Sequence, residues 1–342
     1  MEKVAYELVH HLSRQTEIKL ISWGGSNKWL PLVLPCFLVR SVLALVTGKV
    51  RVIYLADGLL APLGCLLRAF RKPVVITIHG LDITHHSRLY QHLVPRCVGK
   101  MDRVICVSQA TRQACLARGV PDAKITVIQN GISDLLYVNR DRRQLRQEMS
   151  FKLNLGLDGR KTLLFVGRLV ERKGIRWFIE NVVPRLERSG CVLLIAGSGP
   201  LSPRLRSAIH AKGLSQTVIM LGRVDEATLG LLYNACDLFV MPNIPVAGDM
   251  EGFGLVAVEA ASCGLPVVAA NLEGIADAVQ DGRNGFLVEP GDAAGFADVI
   301  KKLLADGGLR QSFGARARRF TLETYGWERA AGRYLESFQC LR

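Results

Sequence analysis

Five short runs in this chain, 73–78, 162–166, 192–196, 238–241 and 267–270, are almost uninterruptedly apolar. A strand with one wet face alternates polar and apolar residues. A strand without that alternation is covered on both faces. Helix-length segments separate such runs, and glycines cluster just beyond their ends. Repeated strand–helix units of this kind build parallel sheets with helices on both sides. Ligands of such sheets bind outside the carboxyl ends of the strands. The fold class predicted is therefore α/β, with two Rossmann-like parallel-sheet domains.

The first half reads as a helix over 4–12, a strand near 18–22, a strand 50–55, a helix 59–70 and the strand 73–78. A helix around 89–98, a strand 103–107, a helix 108–118 and a strand 125–128 follow. Gln129-Asn130-Gly131 ends this unit, and a polar, charge-dense stretch to about Asn154 reads as a linker and a first surface helix. The alternation then restarts, with strands at 162–166, 192–196, 218–221, 238–241, 267–270 and 285–288. The expected boundaries are 1–133, 134–326 and a final helical segment 327–342. Residues 29–46 are an apolar stretch broken by Arg40, Pro31 and Pro35. That is too interrupted for a membrane span, which needs about 20 clean apolar residues. It reads as a helix with an apolar face beside a basic set, Lys28, Arg40, Lys49 and Arg51, either facing the core or lying on a membrane.

At 342 residues the chain has room for two domains, and 49% hydrophobic with 22% charged residues excludes a disordered chain. Nine cysteines without a C-x-x-C pair or metal-type spacing point to reduced thiols and a cytoplasmic setting. Glu2 and Glu7 sit where a signal peptide would be basic. The net charge of +14 is uneven: residues 1–150 hold 21 Lys and Arg against 10 Asp and Glu, the rest 23 against 20. An anionic partner for the first half could be an acidic sugar or an anionic lipid, or the surface is simply basic. No nucleic-acid-binding signature accompanies the charge, so nucleic acid is not expected.

The densest chemistry lies in 248–266. Glu251 and Glu259 are separated by seven residues, and Gly252-Phe253-Gly254 opens a short apolar helix that Cys263-Gly264 and Pro266 stop. A glycine turn entering a helix leaves several N–H groups unpaired and pointing one way. Two carboxylates flanking such a cluster suit a ligand with one anionic part and hydroxyl-rich ends, as a nucleotide-sugar has. Arg168 and Lys173 follow a strand end and Gly167; His79 ends the strand 73–78, with Asp82, His85 and His86 after it as candidate acceptor contacts. Those three do not complete a metal-ligand set. Gly197-x-Gly199 lacks the third glycine of a dinucleotide fingerprint.

Glu251-x7-Glu259, embedded in E-G-F-G-L-V-x-x-E-A-x-x-C-G-x-P-V-V, resembles the signature of retaining GT-B glycosyltransferases of family 4. These include bacterial phosphatidylinositol mannosyltransferases, lipopolysaccharide-core glucosyltransferases and sucrose-phosphate synthases. The resemblance covers nearly the whole chain: V-I-x-N-G-I at 127–132, L-L-F-V-G-R-L-x-x-x-K-G at 163–174, L-L-I-A-G-S-G-P at 193–200, L-G-R-V at 221–224 and G-R-N-G-F-L-V at 282–288. It implies a GT-B fold, two domains facing a cleft, with a helix from Trp327 crossing back onto the first.

For the site, the resemblance implies that Arg168 and Lys173 take the donor diphosphate, with Gly167 among the donor-binding residues. Glu251 and the N–H groups of Gly252, Phe253 and Gly254 would take the sugar hydroxyls. The N–H groups of Leu255 and Val256 would reach the phosphate, Glu259 the ribose, and Arg223-Val224 would border the base. His79 would touch the reacting sugar. No D-x-D occurs, so cations rather than a metal would take the leaving charge; no metal or other cofactor is expected. With no evident covalent nucleophile, retention would follow from front-face attack with the leaving phosphate as base. The acceptor would be lipid-linked or a surface polysaccharide, near an anionic membrane face. D-M-E-G-F-G is similar to members that use mannose donors. The family usually opens with a strand and a Gly-Gly-x-Glu loop. This chain opens on what resembles the following helix, with Glu2 at the loop's last position. An unpaired strand edge and a start roughly 15–25 residues upstream, or impaired catalysis, are therefore expected. Two rival readings are a Rossmann-type dehydrogenase, disfavoured by the missing G-x-G-x-x-G, and a non-catalytic glycan- or membrane-binding relative.

Overall fold

In the computed structural model, which describes residues 2–25, 29–157 and 159–341, the apolar runs form two separate parallel sheets. By internal contacts the chain divides into one unit comprising Met1–Gly131 with Trp327–Arg342 and another comprising Ile132–Gly326.

The first unit carries β1 (Ile53–Leu55), β2 (Val74–Ile78), β3 (Arg103–Cys106) and β4 (Ile125–Val127), in spatial order β1-β2-β3-β4. All pairs are parallel, and every residue of β2 is buried. The strand expected near 18–22 is not formed: that segment has no regular structure, with Leu20 and Trp23 exposed. An extended segment without a neighbouring strand has only water for its N–H and C=O groups, so apolar content alone does not make it a strand. The helix Glu2–Ser13 buries Val4, Leu8 and Leu12, one turn apart, and packs on the C-terminal helix Trp327–Gln339. That last helix is stitched to the sheet: the Tyr334 hydroxyl lies 3.2 Å from Thr77 Oγ1, which is 2.8 Å from the Tyr54 hydroxyl. Trp327 presses on the backbone where the chain leaves the unit, so that a Cβ at Gly131 would meet its ring at 2.2 Å.

The helix Leu30–Thr47 turns Phe37 inward against Leu63 and Leu67. Its other side leaves Leu32, Cys36, Val39, Leu43 and Val46 exposed at alternating spacings of four and three. Arg40, Lys49 and Arg51 are exposed beside them; Lys28 of the same basic set and the Glu2 side chain lie outside the described residues. No helix among the described residues is long and apolar enough to cross a membrane.

The second unit carries β5 (Thr162–Val166), β6 (Val192–Ala196), β7 (Val218–Gly222), β8 (Leu238–Met241), β9 (Val267–Ala270) and β10 (Gly285–Val288), in order β10-β9-β8-β5-β6-β7. Successive residues of β5 feed opposite cores: Leu163 and Phe165 join one apolar cluster, Leu164 the other. This two-sided burial is why the runs carry no alternation. The chain order reverses between β5 and β8, whose pairing runs Leu163–Leu238 and Leu164–Phe239. Connections leaving these two strands diverge and leave a crevice beyond their carboxyl ends.

Candidate functional site

Two loops meet beyond β5 and β8. After β5 the chain passes Gly167, the exposed Arg168 and a single 3₁₀ turn, Glu171–Lys173. Gly174 then takes φ +64° against the second loop, where a Cβ would lie 1.8 Å from the Pro242 carbonyl oxygen. This close approach drives Lys173 inward, and its Nζ donates to Glu251 Oε2 at 2.5 Å. Asn243 Nδ2 donates to the same oxygen at 3.1 Å. Arg172 Nε stands 4.0 Å from it and 3.3 Å from Asp249. Burial works against ionisation of Glu251, but the Lys173 ammonium, then Arg172 and the Asn243 amide, hold it below the ordinary carboxylate range.

Glu251 leads directly into the glycine turn. Gly254, in the left-handed region at φ +88°, is the N-cap of the helix Leu255–Ser262 and offers no side chain to its first N–H groups. Phe253 is buried edge-on against Tyr325, ring centroids 5.9 Å apart; Leu255 and Val256 are half-buried. One turn on, Glu259 is buried and accepts from the Tyr233 hydroxyl at 3.0 Å. Burial, with the Glu259 charge added, pushes the Tyr233 phenol far up. Arg223, exposed, and Val224, half-buried, follow β7 at the sheet edge.

The structure thus brings Lys173 and Glu251 into direct contact, sets Glu259 on the helix that their loop opens, and leaves Arg168 and Arg223 in solvent. It also adds residues that sequence reasoning passed over: Asn243, Arg172, Tyr233 and Glu273, whose Oε2 accepts the Glu251 backbone N–H at 2.5 Å. Only Arg172 carried a signal, its place inside R-L-x-x-x-K-G. Asn243, after β8, and Tyr233, on the helix Glu226–Ala235, are brought in by chain folding that spacing does not reveal, and Glu273 by a backbone conformation that its residue type disfavours. Among the described residues, no three His, Cys, Asp or Glu side chains converge as metal ligands would.

In the first unit, His79 sits half-buried at the carboxyl end of β2, with Nε2 3.0 Å from the Ala56 carbonyl oxygen. Asp82, expected among acceptor contacts, is instead a buried internal tie: its carboxylate accepts the His79 N–H at 2.8 and 3.0 Å and the Gly58 N–H at 3.0 Å. Its carbonyl accepts from Tyr90. A short carboxylate four residues past a strand end meets free N–H groups nearby before it meets a ligand. His85 and His86 stack on one another at 4.6 Å.

Burial pushes the Asp82 carboxyl up to about 6, with Asp57 adding and His79 and the two N–H groups opposing. A raised acid favours the folded state fully below its unfolded pKa, near 4, and that contribution is lost as pH rises through 6. Asp82→Asn removes the titration. Scanning calorimetry should therefore show the variant gaining on the wild type by about 2–3 kcal/mol between pH 4 and 7. A constant gap across that range would show that Asp82 does not titrate there.

Comparison with known proteins agrees with this architecture. Residues 160–306 match the family model described as glycosyl transferases group 1, and residues 1–134 that of glycosyltransferase family 4. An uncharacterised glycosyltransferase of Methanocaldococcus jannaschii is 31% identical over 76% of this chain and 67% of its own length. A GDP-mannose-dependent alpha-(1-6)-phosphatidylinositol monomannoside mannosyltransferase of Mycobacterium tuberculosis is 30% identical over 81% of this chain and 71% of its own. Among solved structures, Anabaena HepE in complex with UDP and glucose superposes with a TM-score of 0.75 at 24% identity, over 93% of this chain and 84% of that one. Sucrose-phosphate synthase from Thermosynechococcus elongatus superposes with 0.74 at 25% identity, over 95% and 82%. The fold of both units is that of the GT-B glycosyltransferases. With both halves matched by family models and relatives at 30–31% identity, the chain belongs to the family 4, group 1 glycosyltransferases.

Proposed function

We propose that this protein moves a sugar from a nucleotide diphosphate sugar to an acceptor hydroxyl, with retention and without a metal ion. The observation that carries the reading is the Lys173–Glu251–Asn243 cluster beside the uncapped start of the helix Leu255–Ser262, at the chain reversal of the second sheet. A departing diphosphate gathers negative charge. Arg168, Lys173 and the N–H groups of Leu255 and Val256 would supply fixed positive charge to it. Glu251, kept ionised by its neighbours, would accept hydrogen bonds from sugar hydroxyls alongside the N–H groups of Gly252, Phe253 and Gly254. Glu259 would take the ribose, and Arg223-Val224 would border the base. His79 is proposed to touch the reacting sugar, as the resemblance implies. Retention would follow from attack on the face that the diphosphate leaves, the phosphate itself taking the acceptor proton.

The deciding experiment is a thermal-shift panel of GDP-, UDP- and ADP-sugars, followed by donor hydrolysis and transfer. A donor at a hundredfold its Kd stabilises the folded state by about 2.7 kcal/mol. No shift with any donor, and no hydrolysis, would favour a non-catalytic relative. Since the sequence carries no D-x-D and Arg168 and Lys173 would take the leaving charge, EDTA is expected to leave transfer intact; strict dependence on a divalent ion would sink the metal-free reading.

We further propose a cytoplasmic protein working at an anionic membrane face on a lipid-linked or polysaccharide acceptor. The exposed apolar side of the helix Leu30–Thr47, bordered by Arg40, Lys49 and Arg51, supports this. Each basic residue near such a surface contributes about 1 kcal/mol. Liposome co-sedimentation should therefore need anionic lipid and weaken with salt; indifference to both would favour a soluble acceptor.

A further inference from the structure

One loop holds the backbone of Glu251 on both sides, and its key residue is strained. Between β9 and the short helix Ile275–Ala278, Glu273 adopts φ +50°. That left-handed conformation costs a residue with a Cβ free energy that glycine does not incur. From it the side chain turns back, so that Oε2 accepts the Glu251 N–H at 2.5 Å. The next N–H, of Gly274, donates to the Glu251 carbonyl at 3.1 Å. A Cβ at Gly274 would lie 2.1 Å from the Gly252 carbonyl oxygen, so the loop lies flat against the turn that opens the helix Leu255–Ser262. Both backbone polar groups of Glu251 are thereby engaged, and its side chain reaches Lys173 from a fixed start. Burial is the main reason that the Glu273 carboxyl sits above its ordinary range.

We propose that Glu273 is a positioning residue for sugar transfer: it keeps a left-handed backbone so that its carboxylate can fix Glu251 against Lys173 and the glycine turn. Strained non-glycine residues persist where the surroundings over-determine them, and they gather at sites that need a set geometry. If chain stability alone mattered at this position, glycine would serve without strain. The proposal rests on the glycosyltransferase reading of Glu251, so its test has one readout that does not depend on activity.

Glu273→Gly relaxes the backbone and removes the tether; Glu273→Gln keeps an accepting oxygen and the same φ. In the glycine variant kcat for the donor identified by the panel should fall about ten- to thirtyfold, with KM changed less than about threefold. Amide exchange across residues 248–255 should be about tenfold faster in that variant, while its Tm stays at or above that of the glutamine variant. The glutamine variant should keep at least about a third of kcat and the wild-type protection. Wild-type kcat or unchanged exchange in the glycine variant, or equal loss in the two variants, would overturn the proposal. Should the wild type act on no nucleotide-sugar, the glycosyltransferase reading fails by itself. The exchange comparison then still decides whether Glu273 holds Glu251.

Discussion

Lys173→Ala is expected to lower turnover by roughly 10²–10³-fold, the usual loss when one preorganised donor is removed from a charge-developing centre. The same change strips Glu251 of its closest cation while leaving it largely buried: the two side chains are 9% and 12% exposed. Removing one partner of a buried pair costs about 3–5 kcal/mol, and residual exposure places this case near the lower figure. The sign of the pH effect follows from the cause. In the wild type Glu251 titrates low, so its stabilising share is present above the unfolded pKa near 4 and lost as pH falls through the lower folded value. Without Lys173, burial has less opposing it and the carboxyl titrates higher. The acid limb of the kcat/KM profile should move up in pH. Arg168→Ala is the informative contrast. Arg168 is exposed, so turnover should fall by a similar factor while Tm stays put. Retained turnover in both variants would remove these cations from the leaving-group role.

Glu251→Ala is expected to abolish most transfer, whereas Glu259→Gln should act mainly on KM for the donor, raising it about tenfold. Contacts to a ribose are alike in ground and transition states, and uniform binding of that kind appears in KM rather than kcat. Glutamine is the better probe at position 259 because its amide oxygen can still accept from the hydroxyl of the buried Tyr233. Alanine there would add the cost of an unsatisfied hydroxyl, about 1–3 kcal/mol. Steady-state kinetics and Tm on the same preparations separate the two effects. Equal, small losses from both changes would show that this motif is not the donor site.

The strands of the second unit were legible almost residue for residue, because burial on both faces writes itself into composition: 162–166, 192–196, 238–241, 267–270 and 285–288 have the observed bounds. The segment 18–22 shows the limit of that signal, since a strand is a property of its neighbours as well as of its own residues. The glycine turn and the two glutamates were legible as a local motif. The contact between Lys173 and Glu251 spans 78 positions and arises from the order β10-β9-β8-β5, which no periodicity encodes. Glu273 was illegible for a different reason: a glutamate in the left-handed region contradicts local preference. Asp82 shows the converse error, in which a residue type common in active sites serves the backbone around it.

The first unit is written in two pieces, Met1–Gly131 and Trp327–Arg342, with the second unit between them. A ribosome adding 5–20 residues per second needs roughly 10–40 s to translate that insertion. Through that interval the earlier piece waits without the helix that brings Tyr334 to Thr77 and Trp327 to Gly131, while the inserted unit can finish first. The nascent first unit is thus the stretch most exposed to chaperones and to aggregation during synthesis. A premature stop just after Gly326 would spare the second unit and cripple the first.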